Sequence, residues 1–381
     1  MLNLKCNALQ SNFILTKVIL EMRKNFIYFG MIAMISASLT GCSDEPNDKN
    51  PIPDLPTTSN GAYILNQGNY GSKIEGSLNF INYSVSKISR DLFRTYNKRS
   101  LGDTPQCGIA YGSKLYLGVY GSNTIEIIDK VTYKSLLQIS LSDKVGQSPR
   151  SMVAKDGKVY VSMYNGYVCS LDTLTQTIDK TVKVGPNPEI IAIYDDKIFV
   201  PNSDGMNHPN YGKTASIIPL ATFGTEGTSE TFEVPLNPKQ FLTNGSSLFI
   251  LALGNYVDIP NALYKVDSDY KCKFIANATK AAIKDNFIYI IDAPWGGEVA
   301  YSRYDINSEE LTNLDIKNID APSGLGVDPI TGNIFISSYP LDNGDISYSL
   351  PGYVCEYDSN GVYKNKYDSG VGDTCIFFDL E

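Results

Sequence analysis

In 381 residues the chain carries 41 Asp and Glu, 32 Lys and Arg, seven cysteines and a single histidine. One histidine, His208, excludes a multi-His metal site and makes any Ser-His-Asp arrangement depend on one loop residue. A net charge of −9 with no clustered basic face excludes nucleic acid as a partner, and cysteines without CxxC spacing leave the fold to an apolar core.

Arg23 and Lys24 open a basic segment, Phe26 to Ser38 is apolar but short for a membrane span, and Leu39-Thr40-Gly41-Cys42 follows. This is the pattern of a bacterial lipoprotein signal, with the Cys42 thiol expected to take a diacylglycerol. Met22 stands directly before the basic pair, so residues 1–41 are read as an upstream extension plus signal peptide. Residues 42–58 then form a lipidated tether. Its Ser43-Asp44-Glu45 and Pro46-Asn47-Asp48 are too polar to bury apolar surface. Without residues 1–41, which hold four Lys/Arg and one Asp/Glu, the balance is 28 basic to 40 acidic, a charge that keeps an exposed protein in solution.

Residues 59–381 are repetitive. Thr104-Pro105 through Leu115-Tyr116-Leu117 recurs as Ser148-Pro149 through Val159-Tyr160-Val161, and again from Asn187-Pro188, Asn237-Pro238, Asn277-Ala278 and Ala321-Pro322. Each copy predicts a short strand, a turn such as Asp156-Gly157, and a second strand with an aromatic between apolar residues. A third strand ends in Asp129, Asp172, Asp267, Asp305 or Asp358, and a carboxylate there can accept from the turn amide two residues on. These aspartates are therefore read as turn residues rather than calcium ligands. With a fourth strand such as Thr181 to Val184, the unit is a four-stranded blade repeated roughly every forty to fifty residues.

The seventh unit is split. Asp373 to Phe378 matches a first strand that lacks a second, and Gly61 to Leu65 a second strand that lacks a first. The predicted fold is an all-β, seven-bladed propeller of four-stranded antiparallel blades, closed by pairing of the N- and C-terminal segments, which removes the exposed sheet edge. Cys107 and Cys375 fall at equivalent places on neighbouring inner strands. Such strands diverge beyond disulfide reach, so free thiols are expected.

Strand direction gathers the connections between second and third strands on one face, beside the x-Pro starts. The opposite face keeps tight turns such as those at Gly157 and Gly332. The crowning loops carry Tyr70, Tyr120, Tyr164, Asn202, His208, Tyr211, Asn255, Tyr256, Trp295 and Tyr339. Aromatics with a polar tip among small hydrogen-bonding residues supply contact area at little entropic cost, so these residues are the candidate ligand contacts. The starts of the inner strands add Gln106, Arg150, Glu189, Lys239, Thr279, Ser323 and Thr374 around the channel mouth. Gln106 and Arg150 join the candidate ligand contacts, while pairing of Arg150 with Glu189 across blades is the competing structural role.

The x-Pro start, the D-G or D-N turn and the Val159-Tyr160-Val161 type of second strand resemble the YncE-like seven-bladed propellers, over the chain from about residue 60 to its end. With the lipobox and the acidic Ser43 to Asp48, the chain is similar to propeller lipoproteins of the surface-layer group, and within it to the BtuG cobalamin-binding lipoproteins. An acidic stretch after the lipidated cysteine also resembles the surface-export signal of lipoproteins in some Gram-negative gut anaerobes. The resemblance implies a lipid-anchored protein on the outer membrane that captures cobalamin as a transported ligand and passes it to a TonB-dependent outer-membrane receptor. It implies no catalysis, no protein-bound metal or cofactor, and membrane contact through the lipid alone. Two alternatives come from other classes: a protein-binding or surface-layer adhesive propeller, and a glycosidase or lyase using Asp292, Glu298 and Asp342.

Overall fold

Seven second strands each place one aromatic between two apolar neighbours, and all seven aromatics, Tyr63, Tyr116, Tyr160, Phe199, Phe249, Tyr289 and Phe335, are buried. A strand in the middle of a blade is covered by the next blade on either side, so both of its faces must be apolar. The computed structural model describes residues 56–381. Cys42, the signal segment and most of the expected tether lie outside the described residues.

The described residues form seven four-stranded antiparallel sheets. Blade 2 is Pro105–Tyr111, Lys114–Val119, Thr124–Asp129 and Ser135–Ser140; blade 3 is Pro149–Lys155, Lys158–Met163, Tyr167–Asp172 and Thr177–Lys183. Blade 4 runs Ala192–Tyr194, Lys197–Asn202, Thr214–Pro219 and Glu230–Glu233, and blade 5 Pro238–Thr243, Leu248–Ala252, Ala262–Val266 and Cys272–Asn277. Blade 6 is Lys280–Lys284, Phe287–Asp292, Ala300–Asp305 and Glu310–Asn313; blade 7 is Ala321–Val327, Ile334–Tyr339, Tyr353–Tyr357 and Tyr363–Asp368. Blade 1 joins the two ends of the chain. Its inner strand is Thr374–Leu380, followed outward by Ser59–Asn66, Ser77–Asn82 and Lys87–Ser89. Tyr63 lies opposite Phe377 and Ala62 opposite Phe378, so the ring closes as the repeat required.

Apolar side chains collect between blades rather than in one centre. Tyr63, Leu65, Leu117 and Phe377 fill the contact of blades 1 and 2, and Ala62, Ile64, Phe335 and Val354 that of blades 7 and 1. At Gly108 an added Cβ would stand 2.6 Å from the Phe377 ring, so only glycine lets the first two inner strands approach this closely. The turn aspartates behave as their position demands: Asp129 Oδ1 accepts from the amide of Thr132 at 2.7 Å, Asp172 Oδ1 from that of Thr175 at 2.8 Å, and Asp358 Oδ1 from that of Asn360 at 2.8 Å.

Cys107, Cys169, Cys272, Cys355 and Cys375 are free thiols. Two elements left no signal in the sequence. A six-residue helix, Leu92–Asn97, follows the short outer strand of blade 1 and buries Leu92 and Phe93, and Leu341–Asp342 pairs with Asp345–Ile346 inside the long loop of blade 7.

Candidate ligand-binding face and channel

The x-Pro starts owe their form to a hydrogen bond. Thr104, Ser148, Asn187 and Asn237, each preceding a proline, adopt positive φ of 46° to 58°. That turn aims their carbonyls at the loop after the second strand. Thr104 O accepts from Tyr120 N at 2.9 Å, Ser148 O from Tyr164 N at 3.0 Å, and Asn237 O from Leu253 N at 2.9 Å. The inner strand and the crowning loop of one blade are thus fixed to each other, and the tyrosines that open two of those loops are held at their backbones.

One residue further on, the ladder slips. Register shifts between Pro105 and Cys107, Pro149 and Ser151, Pro238 and Gln240, and Pro322 and Gly324 leave Gln106, Arg150, Lys239 and Ser323 as bulged residues. A bulge re-aims its side chain, and these four line the mouth of the central channel with Thr279 and Thr374. The cavity there has a volume of about 330 Å³.

Charge is concentrated on one side of this mouth. Glu189, its side chain 4% exposed, accepts from Arg150 Nε at 2.6 Å and from Lys239 Nζ at 2.7 Å. Arg150 also donates to Gln106 Oε1 and lies 5.3 Å from the centre of the Tyr164 ring. Burial opposes the charge on Glu189, yet Lys239 and Arg150 hold its carboxyl below the usual range. Lys239 is less well compensated: burial and the neighbouring guanidinium push it down to about 8. The expected ring therefore exists, and Arg150 and Gln106 face the cavity while also tied into a network across blades 2 to 5.

Above the mouth, aromatic rings meet edge to face across blades. Tyr70 and Tyr120 stand 6.3 Å apart, Tyr120 and Tyr164 5.8 Å, Tyr211 and Tyr256 6.0 Å, and His208 packs 5.6 Å from Tyr211. Tyr339 contacts Tyr348 at 4.9 Å within the blade 7 loop. Trp295 stands alone and is 92% exposed. Burial raises Tyr164 to about 12, so its hydroxyl stays a neutral donor at any physiological pH.

Two candidate contacts lie elsewhere than expected. Asn202 has no exposed surface: it donates to Ser216 Oγ at 3.0 Å inside blade 4 and sits beneath Gly185, whose absent Cβ makes room for it. Asn255 spends its carboxamide on its own loop, accepting from the amides of Val257, Asp258 and Ile259 and donating to Asp258. Sequence reasoning passed over Gln67, Lys280 and Asp373, which line the same cavity. Lys280 and Asp373 adjoin the ring positions Thr279 and Thr374, and that adjacency was the available signal. Of the carboxylates considered for catalysis, Asp292 accepts from Asn261 Nδ2 at 2.9 Å and Asp342 from Asn343 Nδ2 at 3.1 Å. No group of three or more potential metal ligands occurs among the described residues.

Residues 60–205 match the profile of a domain of unknown function, DUF5074. The match runs from the second strand of blade 1 into blade 4. No curated protein matches the chain in sequence. Among solved structures, a candidate 6-phosphogluconolactonase from Bacteroides fragilis superposes with a TM-score of 0.59 at 14% identity, covering 86% of this chain and 100% of that one. Another from Bacteroides uniformis gives 0.58 at 12% identity, covering 84% and 100%. Hydrazine synthase of Kuenenia stuttgartiensis gives 0.54 at 13% identity over 70% of this chain and 87% of that one. At these identities the likeness is one of fold: the chain is a seven-bladed β-propeller, and residues 60–205 of it are similar to DUF5074.

Proposed function

We propose that the chain is a capture lipoprotein of the YncE-like and BtuG kind, anchored through Cys42 to the outer membrane and exposed on the cell surface. In this reading it binds a bulky polar nutrient, cobalamin, and hands it to a TonB-dependent outer-membrane receptor. The observation that carries the reading is the line of rings from Tyr70 through Tyr120 to Tyr164 beside a polar channel mouth, with the Tyr211 and Tyr256 pair following on blades 4 and 5. A wide, amide-rimmed macrocycle needs broad apolar contact and neutral hydrogen-bonding partners, which tyrosines and loop amides provide without burying a new charge. The corrin ring brings its own cobalt, so the protein need not supply a metal.

The face is read as binding rather than catalytic. The two Bacteroides neighbours carry the name of a lactonase, but at 12–14% identity they speak for the fold alone. The chain has a single tryptophan, so emission of Trp295 reports on the crowning face without interference. Cyanocobalamin should quench it saturably, and Tyr120→Ala should weaken that response about tenfold, the scale of losing one aromatic contact. A quench that only follows the absorbance of the ligand, without saturation, would remove cobalamin.

A second reading has one observation in its favour. Besides Trp295 on the blade 6 loop, Met206 and Val257 are strongly exposed on the crowning loops of blades 4 and 5, apolar surface that suits a protein partner. Adhesion to another protein with no response to cyanocobalamin is the outcome that would prefer it.

A further inference from the structure

The channel mouth is asymmetric. At equivalent positions of seven blades it presents Gln106, Arg150 and Lys239 on one side, with Glu189 buried behind the last two, and only the small hydroxyl residues Thr279, Ser323 and Thr374 on the other. The large side chains satisfy one another, whereas the small ones leave space, and that space is the cavity of about 330 Å³.

The charges around this space do not balance. Arg150, Lys239 and Lys280 face Glu189 and Asp373. Glu189 already serves both Arg150 and Lys239, and Lys280 stands 3.9 Å from Asp373, outside hydrogen-bonding reach. Lys239 therefore keeps donors beyond its one bond to Glu189, and with its side chain 23% exposed, water compensates it only in part. Cys107 and Cys375, the other titratable groups lining the space, are kept protonated by burial.

We infer that the channel mouth is an oxyanion subsite, in which Lys239 and Lys280 take a phosphate or carboxylate group that reaches down from the ligand held on the crowning face. The inference deepens the capture reading, on which the position of the rest of the ligand rests. An incoming anion supplies the charge that Glu189 alone cannot and meets Lys239 in a partly dehydrated site, where a charge-assisted hydrogen bond is stronger than in open water. The depressed value of Lys239, about 8, fits such a site: occupancy by an anion stabilises the ammonium, so binding draws in a proton and weakens as pH rises beyond 8.

The test is calorimetric titration of the purified protein at pH 7 with inorganic phosphate, with acetate and, separately, with cyanocobalamin. Phosphate should bind at one site with millimolar affinity, weaken about tenfold in Lys239→Met, and strengthen severalfold in Glu189→Gln, which removes the competing carboxylate. Lys280→Met, at a more exposed lysine, should also weaken phosphate and guards against a folding defect in the first variant. Acetate binding without phosphate keeps the subsite and assigns it to carboxylates. Equal phosphate affinity in wild type, Lys239→Met and Lys280→Met, or no saturable heat from either anion up to about 20 mM, overturns the inference. Cyanocobalamin binding with anions silent removes the subsite alone, and anion binding with cyanocobalamin silent removes cobalamin capture alone.

Discussion

Phe377→Ala probes ring closure directly. Phe377 sits on the C-terminal strand, is 8% exposed, stacks on Tyr63 with ring centres 5.0 Å apart and covers the bare Cα of Gly108. It touches both the second strand of its own blade and the inner strand of blade 2. Truncating a buried phenylalanine costs about 3–5 kcal/mol. With an unfolding entropy of about 2.1 cal/mol/K per residue, a propeller spanning residues 59–381 loses about 0.7 kcal/mol of stability per degree near its midpoint, so the melting temperature should fall by about 4–7 °C. Gly108→Ala should be costly in the wild type and less so beside Phe377→Ala, because most of what its methyl meets is that ring. Scanning calorimetry of the three variants, with the exposed Leu174→Ala as control, checks both statements. A Phe377→Ala midpoint within about 1 °C of wild type would mean that the terminal strand does not close blade 1 in solution.

On the crowning face, Trp295→Ala should weaken cyanocobalamin by about thirtyfold or more, corresponding to about 2 kcal/mol, while Val131→Ala on a turn of the opposite face leaves affinity unchanged; calorimetry compares the two. Acid should act on blade 3. Lys158 bonds Asp172 at 2.7 Å and Asp179 at 2.6 Å, and holds both carboxyls below their ordinary range. A depressed carboxyl stabilises the fold fully above its unfolded pKa of about 3.9 and ceases to do so as pH falls through its folded value, so wild type should lose melting temperature faster than Asp172→Asn/Asp179→Asn below about pH 4. Cys42→Ala should abolish labelling by a palmitate analogue that marks the wild type, and equal labelling of both would remove the lipid anchor.

The architecture was legible because its cause is periodic. A buried aromatic recurs in the second strand of all seven blades, and five aspartates mark the third-strand turns, so both stand out when copies are aligned. The ring from Gln106 to Thr374 followed from the same alignment. What projects it into the channel did not: the bulges after Pro105, Pro149, Pro238 and Pro322 are register events with no residue of their own. Loops outside the period were read by composition, and composition does not show direction. Asn202 ends its strand pointing into blade 4, and Asn255 turns back on its own amides, although both are polar residues beside the face. Tyr120 and Tyr164 were read by the same composition, and the structure adds what holds them: each begins its loop at an amide bonded to the carbonyl of Thr104 or Ser148.

The most direct measurement of cobalamin capture is calorimetric titration of the purified wild-type protein with cyanocobalamin. Cobalamin capture requires a saturable, one-to-one heat and a melting temperature that rises with ligand concentration, since a ligand that binds only the folded state stabilises it. No heat and no shift in melting temperature at about 100 µM cyanocobalamin would contradict it.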